Sequence, residues 1–246
     1  MNYVDMHMHV LNNVDDGSTS QDESLDMISK AYESGVRTIF ATPHGGVFKN
    51  LLKRHDIKKK FTILKKLSEE KFPDFKIYLG AEIRIYPDEI EQIIKKLKNK
   101  KLPSLGGTKY VLLEFNNFGI CFEEIVSIMH RVMEAGFVPI LAHAERLYKV
   151  IPGLSELQRL HDMGCYFQIN TDYLFDKSNP EAHLRVQAIL TKKLADFVGS
   201  DAHGMDRRCP KYDDEIVYLK ENFDKKYIDY ILTNRLVADE AKKEET

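Results

Sequence analysis

Thiols are scarce in this chain of 246 residues. Cys121, Cys165 and Cys209 stand far apart and form no C-x-x-C pair. That spacing excludes a disulfide framework and a zinc knuckle, and it fits a reducing compartment. The arginine that cysteine phosphatases carry six residues beyond their nucleophile is also missing, since Ser127 follows Cys121 and Thr171 follows Cys165 at that distance. All three cysteines are therefore expected to be packing residues. A basic excess is absent too: 36 Lys and Arg against 38 Asp and Glu leave a formal net charge of -2, which argues against a nucleic-acid-binding surface. The lysine clusters at 58–60, 65–66, 98–101 and 192–193 then read as solvated helix faces. No apolar run approaches a membrane span, and the first residues lack the basic-then-apolar pattern of a signal peptide. No membrane insertion and a cytoplasmic location are expected.

What is present suits one large folded unit. Hydrophobic residues at 43% and charged residues at 30% supply a core and a soluble surface. The length matches the roughly 250 residues of a single α/β barrel, so residues 1–246 are expected to form one domain. Apolar runs alternate with helical patterns, the signature of βα units around a parallel sheet or barrel. About seven strands are expected, with Val36 to Ala41, Lys76 to Gly80, Lys109 to Glu114, Phe137 to Ala142, Cys165 to Ile169 and Ala195 to Gly199 following the first near Tyr3. Ser20-x-x-Glu23 is a capping box opening the first helix, which stops at Gly35. Further helices are expected at 55–71, from Pro87 to Lys98, at 122–134 and 154–162, and finally at 213–222 and 225–238, ahead of a fraying charged tail from Ala241 to Thr246.

The strand ends carry the chemistry. Asp5-Met-His7-Met-His9 places two imidazoles on one face of a strand, because alternate side chains share a face. His44, Glu82, Glu114, His143, and Asp201 with His203 then stand at the ends of later strands, and the remaining strand ends at Asn170. In a parallel barrel those ends open on one rim, where active sites are built. Eight residues of ligand type converging there point to a multinuclear metal site. Histidine and carboxylate without thiolate favour manganese, iron or zinc in a catalytic role. His55, His130, His161 and His183 fall in or beside helices and are expected to be surface or ordinary helix positions. Glu145 is a candidate for either a supporting carboxylate or a loop ion pair, and Arg84 for a phosphate contact.

Asp5-x-His7-x-His9, Thr42-Pro-His44, Gly80-Ala-Glu82, Leu113-Glu114, His143-Ala-Glu-Arg146 and Ser200-Asp201-Ala-His203 together resemble the polymerase and histidinol phosphatase (PHP) superfamily. Val14-Asp15-Asp16-Gly17 and the His-x-Glu-Arg segment narrow the resemblance to bacterial manganese-dependent tyrosine-protein phosphatases of capsule and exopolysaccharide operons. The resemblance covers residues 3 to 210. It implies a distorted TIM-like (β/α)7 barrel with three divalent metal ions, manganese first and iron or zinc next. His7, His9, Glu82 and Asp201 would hold one; Glu82, Glu114 and His143 a second; Asp16, His44 and His203 a third. Arg146 and Arg208 would bind the phosphate. The implied activity is hydrolysis of phosphotyrosine by a metal-bound hydroxide, and the implied partner is the tyrosine-rich tail of a membrane-associated kinase. A histidinol-phosphate type of small-molecule phosphatase and a non-catalytic module of the same fold are the alternatives. Residues 171–180 depart from the small, glycine-bearing segment usual in that family, which bears on the rim of the pocket.

Overall fold

The structure, a computed structural model, describes residues 2–210 and 212–244. Its elements run β1 (Tyr3–Met8), α1 (Gln21–Glu33), β2 (Val36–Ala41), α2 (Leu51–Lys71), β3 (Lys76–Leu79), β4 (Glu82–Arg84), α3 (Ile90–Lys98), β5 (Tyr110–Glu114) and α4 (Phe122–Glu134). They continue with β6 (Val138–Leu141), α5 (Leu154–Asp162), β7 (Tyr166–Asn170), α6 (Pro180–Thr191), β8 (Phe197–Gly199), α7 (Asp213–Asn222), α8 (Lys225–Thr233) and α9 (Leu236–Glu244). All strand pairs are parallel, in the order β1-β2-β3 and β4-β5-β6-β7-β8.

The expected third strand is interrupted. The chain breaks at Gly80-Ala81, yet both halves continue along β2, through the Gly80 N–H to the Ala41 carbonyl at 2.8 Å and the Glu82 N–H to the Pro43 carbonyl at 3.1 Å. Leu105 packs against this point, where a Cβ on Gly80 would lie 2.6 Å from its side chain. The ring closes where Asp201 N–H meets the His7 carbonyl at 2.8 Å and His9 N–H meets the Ala202 carbonyl at 2.9 Å. Seven staves thus enclose a distorted (β/α)7 barrel.

Successive residues of β1 serve different levels of that barrel. Met6 joins an apolar cluster with Val4, Phe40, Tyr78, Leu112, Ile140 and Phe197, while His7 faces the polar rim. Two adjacent residues can both face inward because the register with β2 shifts between Asp5 and Met8, as at a bulge. Without that shift the alternation of a strand would send His7 outward.

The far end of the barrel is stoppered by α9. Val237, Ala238 and Ala241 are fully buried and join the interior cluster, and a Cβ on Gly106, whose φ is +60°, would strike Ala241. Two expectations are corrected by this helix. Asn234 divides the expected 225–238 helix by taking extended backbone and accepting the Leu236 N–H, and Ala241 is core instead of fraying tail. Glu245 and Thr246 lie outside the described residues. Ser20 does cap α1 by accepting the Glu23 N–H, but Glu23 turns back to Thr19 instead of closing the box on Ser20. Among the cysteines only Cys165 is fully packed; Cys121 is exposed and Cys209 partly so.

Candidate metal centre

Five imidazoles and three buried carboxylates, Glu82, Glu114 and Asp201, meet at the open rim. Glu82 lies at the middle: its Oε1 is 2.9 Å from His143 Nε2 and 3.6 Å from His7 Nε2, and its Oε2 is 2.9 Å from His44 Nδ1 and 3.3 Å from His9 Nε2. Asp201 faces two ways. Its Oδ1 lies 3.4 Å from His7 Nε2 and 3.5 Å from His9 Nε2, whereas its Oδ2 accepts from Asn170, Arg208 and Arg146 at 3.0, 2.9 and 3.4 Å. Asp16 approaches from the loop after β1, with Oδ1 3.2 Å from His44 Nε2 and 3.6 Å from His203 Nε2.

The neighbours of the histidines fix which ring nitrogen holds the proton. His7 Nδ1 lies 3.2 Å from Gln168 Oε1, an oxygen identified by its acceptance of the His143 N–H. His9 Nδ1 donates to Asp15 at 2.8 Å, and His203 Nδ1 donates to the Asp201 carbonyl at 2.7 Å. Carbonyl and carboxylate oxygens only accept, so in the neutral rings Nε2 is left with a lone pair. The Nε2 atoms of His7 and His9 are 3.1 Å apart. Two lone pairs so placed repel each other and attract a cation between them. This is the orientation that supporting carboxylates and amides give to metal-binding histidines.

Burial sharpens the point. Glu82 and Asp201 are each 2% exposed, and an unpaired buried charge costs several kcal/mol. Burial pushes the Glu82 carboxyl up, but the neighbouring His7, His143 and His44 outweigh it and hold it well below the usual carboxylate range. Burial likewise raises Asp201, while His7 and His9 pull it well below its ordinary value. Asp15 sits at about 2, because the hydrogen bond from His9 overcomes burial, and burial beside His9 takes His203 down to about 4. Burial pushes His7 and His9 down, but Asp201 and Glu82 outweigh it at His7, and Asp15, Asp201 and Glu82 hold His9 well above the ordinary imidazole value. The centre thus sets ionised carboxylates among imidazoles whose protons a cation would replace. That donor set fits a divalent ion of the manganese, iron or zinc kind.

Three overlapping groups bring their ligand atoms within 4.8 Å of one another: His9, Asp16, His44 and His203; His7, His9 and Asp201; and His44, Glu82 and Glu114. Eight of the nine expected ligand residues fall in these groups, and the ninth, His143, lies outside them with its Nε2 2.9 Å from Glu82 Oε1. The grouping differs in detail, since His9 also joins the Asp16 set and His44 also joins Glu82 and Glu114. Backbone strain gathers here as well. His143, Asp201 and Arg208 take positive φ values of 33°, 49° and 49°, a conformation costing about 1–3 kcal/mol for a residue other than glycine.

Other expectations resolve as follows. Asp5 contacts no imidazole ring; it accepts the N–H groups of His7 and Ser200 and the Ser200 hydroxyl, and so anchors β1 to β8. Arg84, the candidate for a phosphate contact, is engaged by Glu114 through a bidentate pair at 2.7 and 2.8 Å. Glu145 forms no loop ion pair; it is fully buried, accepts the Asn170 N–H, and is pushed up to about 8 by burial. His55 and His130 are exposed, while His161 sits near Asp196 and His183 bonds the Tyr173 carbonyl, as expected of helix positions.

Asp15 and Gln168 escaped the sequence reading. Gln168 lies two residues before Asn170, so strand alternation could have placed it on the rim face. Asp15 looked like its neighbour Asp16 within a turn. Asp15→Asn removes the charge that orients His9 and is expected to weaken metal affinity by about 10–100-fold. Titrating activity against manganese concentration checks this; an unchanged midpoint contradicts it.

The sequence matches the family described as capsular polysaccharide synthesis, CpsB/CapC, over residues 3–237. It is 33% identical over 214 residues to the tyrosine-protein phosphatase CpsB of Streptococcus agalactiae serotype III (strain NEM316), covering 84% of this chain and 85% of that protein. It is also 33% identical over 236 residues to the tyrosine-protein phosphatase YwqE of Bacillus subtilis (strain 168), covering 94% and 88%. A solved structure from work on YwqE of Bacillus subtilis and CpsB of Streptococcus pneumoniae, described as unique metal-dependent tyrosine phosphatases, superposes with a TM-score of 0.78 at 29% identity, over 97% of this chain and 94% of that one. The phosphotriesterase homology protein of Escherichia coli shares the fold, with a TM-score of 0.60 at 10% identity.

Proposed function

The chain belongs to the CpsB/CapC family of capsular polysaccharide synthesis, and from that premise we propose that it is a metal-dependent protein-tyrosine phosphatase whose catalytic unit is the whole chain. The names of its relatives support the activity, and one observation carries it here: the paired Nε2 atoms of His7 and His9, 3.1 Å apart and aimed between Glu82 and Asp201. His7, His9, Glu82 and Asp201 hold one divalent ion, Glu82 with Glu114 and His143 a second, and Asp16, His44 and His203 a third, with manganese the first candidate. When bound, such ions neutralise phosphoryl oxygens and acidify water so that hydroxide is available at neutral pH.

The protein's own groups do the rest. Arg146 and Arg208 reach the centre from its exposed side, about a third of each side chain being accessible, and both are tethered to Asp201. A phosphate entering there meets two always-charged guanidinium forks that match its oxygens. Asn170 and the same arginines saturate Asp201 Oδ2, leaving Oδ1 turned to the histidines. The product phenol has a pKa near 10, so its oxygen leaves with modest help. The substrate is a phosphotyrosine protein, and the proposed partner is the tail of a membrane-associated tyrosine kinase. Among the described residues no helix is long and apolar enough to cross a membrane.

The manganese-loaded protein is expected to hydrolyse phosphotyrosyl peptides with higher kcat/KM than histidinol phosphate. Activity should survive thiol alkylation and stop with a chelator. Preference for histidinol phosphate would assign the site to small-molecule chemistry, and loss of activity on alkylation would contradict the metal mechanism.

A further inference from the structure

Beside the metal centre lies a second concavity that the proposed chemistry leaves unused. It has a volume of about 280 Å³ and is bounded by the turn after β2, by β4, and by α3 and the segment that follows. His44 and Arg84 line its inner end, so it opens directly onto the ligand cluster. Its floor is apolar: Phe48, Ile83, Ile93 and Leu102 are each at most 8% exposed, and their faces toward the pocket are not covered by another element. The volume falls just below the ~300–1,000 Å³ of ordinary small-molecule sites. It suits one large side chain.

The rim has a clear sign. Lys49, Lys96 and Lys101 surround the mouth, and among the described residues none of the three is within ion-pair distance of a carboxylate. Glu89 is the acidic residue lining it, and Arg84 is already neutralised by Glu114. An uncompensated cationic rim over an apolar floor is complementary to a peptide carrying carboxylates next to an aromatic or branched apolar side chain.

We propose that this pocket is the subsite for substrate residues flanking the phosphotyrosine, taking one aromatic or branched apolar side chain while the lysine rim holds acidic neighbours. The inference rests on the tyrosine-phosphatase reading and adds the sequence class of its substrate. His44 belongs to both the pocket lining and the ligand cluster, so the pocket is contiguous with the centre that would hold the phosphate. A free aryl phosphate has no flanking residues. The pocket therefore separates peptide recognition from chemistry.

Two variants test it without touching the ligands. Gly46 lines the pocket, has an ordinary φ, and would meet nothing within 4 Å on gaining a Cβ, so Gly46→Phe plugs the space without backbone strain. Lys96→Glu combined with Lys101→Glu reverses the rim at a half-buried helical position and an exposed bend. The binding probe is a peptide with a non-hydrolysable phosphotyrosine mimic, flanked by Glu, Asp and Phe or, in the control, by Gly and Ser. On the metal-loaded protein the acidic aromatic peptide is expected to bind about tenfold tighter than the control, with the preference lost in both variants and shrinking as salt is raised for the charge component. Hydrolysis of p-nitrophenyl phosphate should be unchanged in both. Equal binding of the two peptides to the parent protein overturns the subsite, as does a preference that survives both variants. A rise in KM for p-nitrophenyl phosphate in Gly46→Phe also overturns it, by assigning the pocket to the phosphorylated ring. Failure of the tyrosine-phosphatase reading has a separate mark: the parent protein preferring histidinol phosphate to phosphotyrosyl peptides, or failing to turn over p-nitrophenyl phosphate at all.

Discussion

Glu82→Ala is expected to lower phosphatase activity by about three orders of magnitude or more while leaving the protein folded. The residue is the hub of the centre, with four histidines within 3.6 Å of its two oxygens. Metal-ion stabilisation of transition-state charge is worth several kcal/mol, and each 1.36 kcal/mol is about tenfold in rate. Removing the carboxylate takes away the one negative charge that four imidazoles share and leaves Asp201 as the carboxylate beside His7 and His9, so loss of metal and loss of rate should appear together. Glu82→Gln keeps the shape and discards the charge. It should behave like the alanine variant if electrostatics hold the ion, and like the parent if Glu82 is only a packing group. Circular dichroism and a thermal melt in chelator separate either result from unfolding.

Arg146→Ala and Arg208→Ala make the second large prediction. Each is expected to reduce kcat/KM by about 100- to 1,000-fold, the range for removing one preorganised donor that meets developing charge. Their tether to Asp201 divides the two readings of the site. If the arginines serve the phosphate, metal content should hardly change and the deficit should lie in kcat and KM for substrate. If they serve only to steady Asp201, metal affinity should fall instead and excess manganese should restore the rate. Arg→Lys is expected to recover little, because an ammonium cannot replace a planar two-pronged donor.

Much of this centre was legible in the chain because barrel topology converts a one-dimensional pattern into a place. His7 and Glu114 lie in the last residues of their strands, His9, His44, His143, Asp201 and His203 follow shortly after theirs, Glu82 opens β4 just beyond β3, and parallel strands share one rim. Local signals served equally well where the element depends on local chemistry: β2 at Val36–Ala41, α4 at Phe122–Glu134 and α5 at Leu154–Asp162 have the expected limits. Asp16 came only through the family resemblance, since Asp-Asp-Gly in a loop otherwise signals a turn.

The misses have a common cause in contacts between residues far apart in sequence. Asp15 becomes important only because His9 and the His44 N–H both turn to it, and Gln168 only because His7 and His143 do. The need for glycine at position 80 comes from Leu105, and at the split Asn234 bonds the Asp196 carbonyl. The tail became a plug because Val237, Ala238 and Ala241 match the narrow barrel end in size and spacing, which hydrophobicity alone does not reveal.

The most direct test is the metal content of the purified parent protein and of Glu82→Ala, measured alongside activity after dialysis against manganese. The parent is expected to retain more than one divalent ion per chain and to lose turnover when stripped, and the variant to lose both ion and turnover while melting as a folded protein. A parent fully active without metal, or a variant with undiminished metal and rate, would contradict the assignment of this rim as a metal-dependent phosphatase centre.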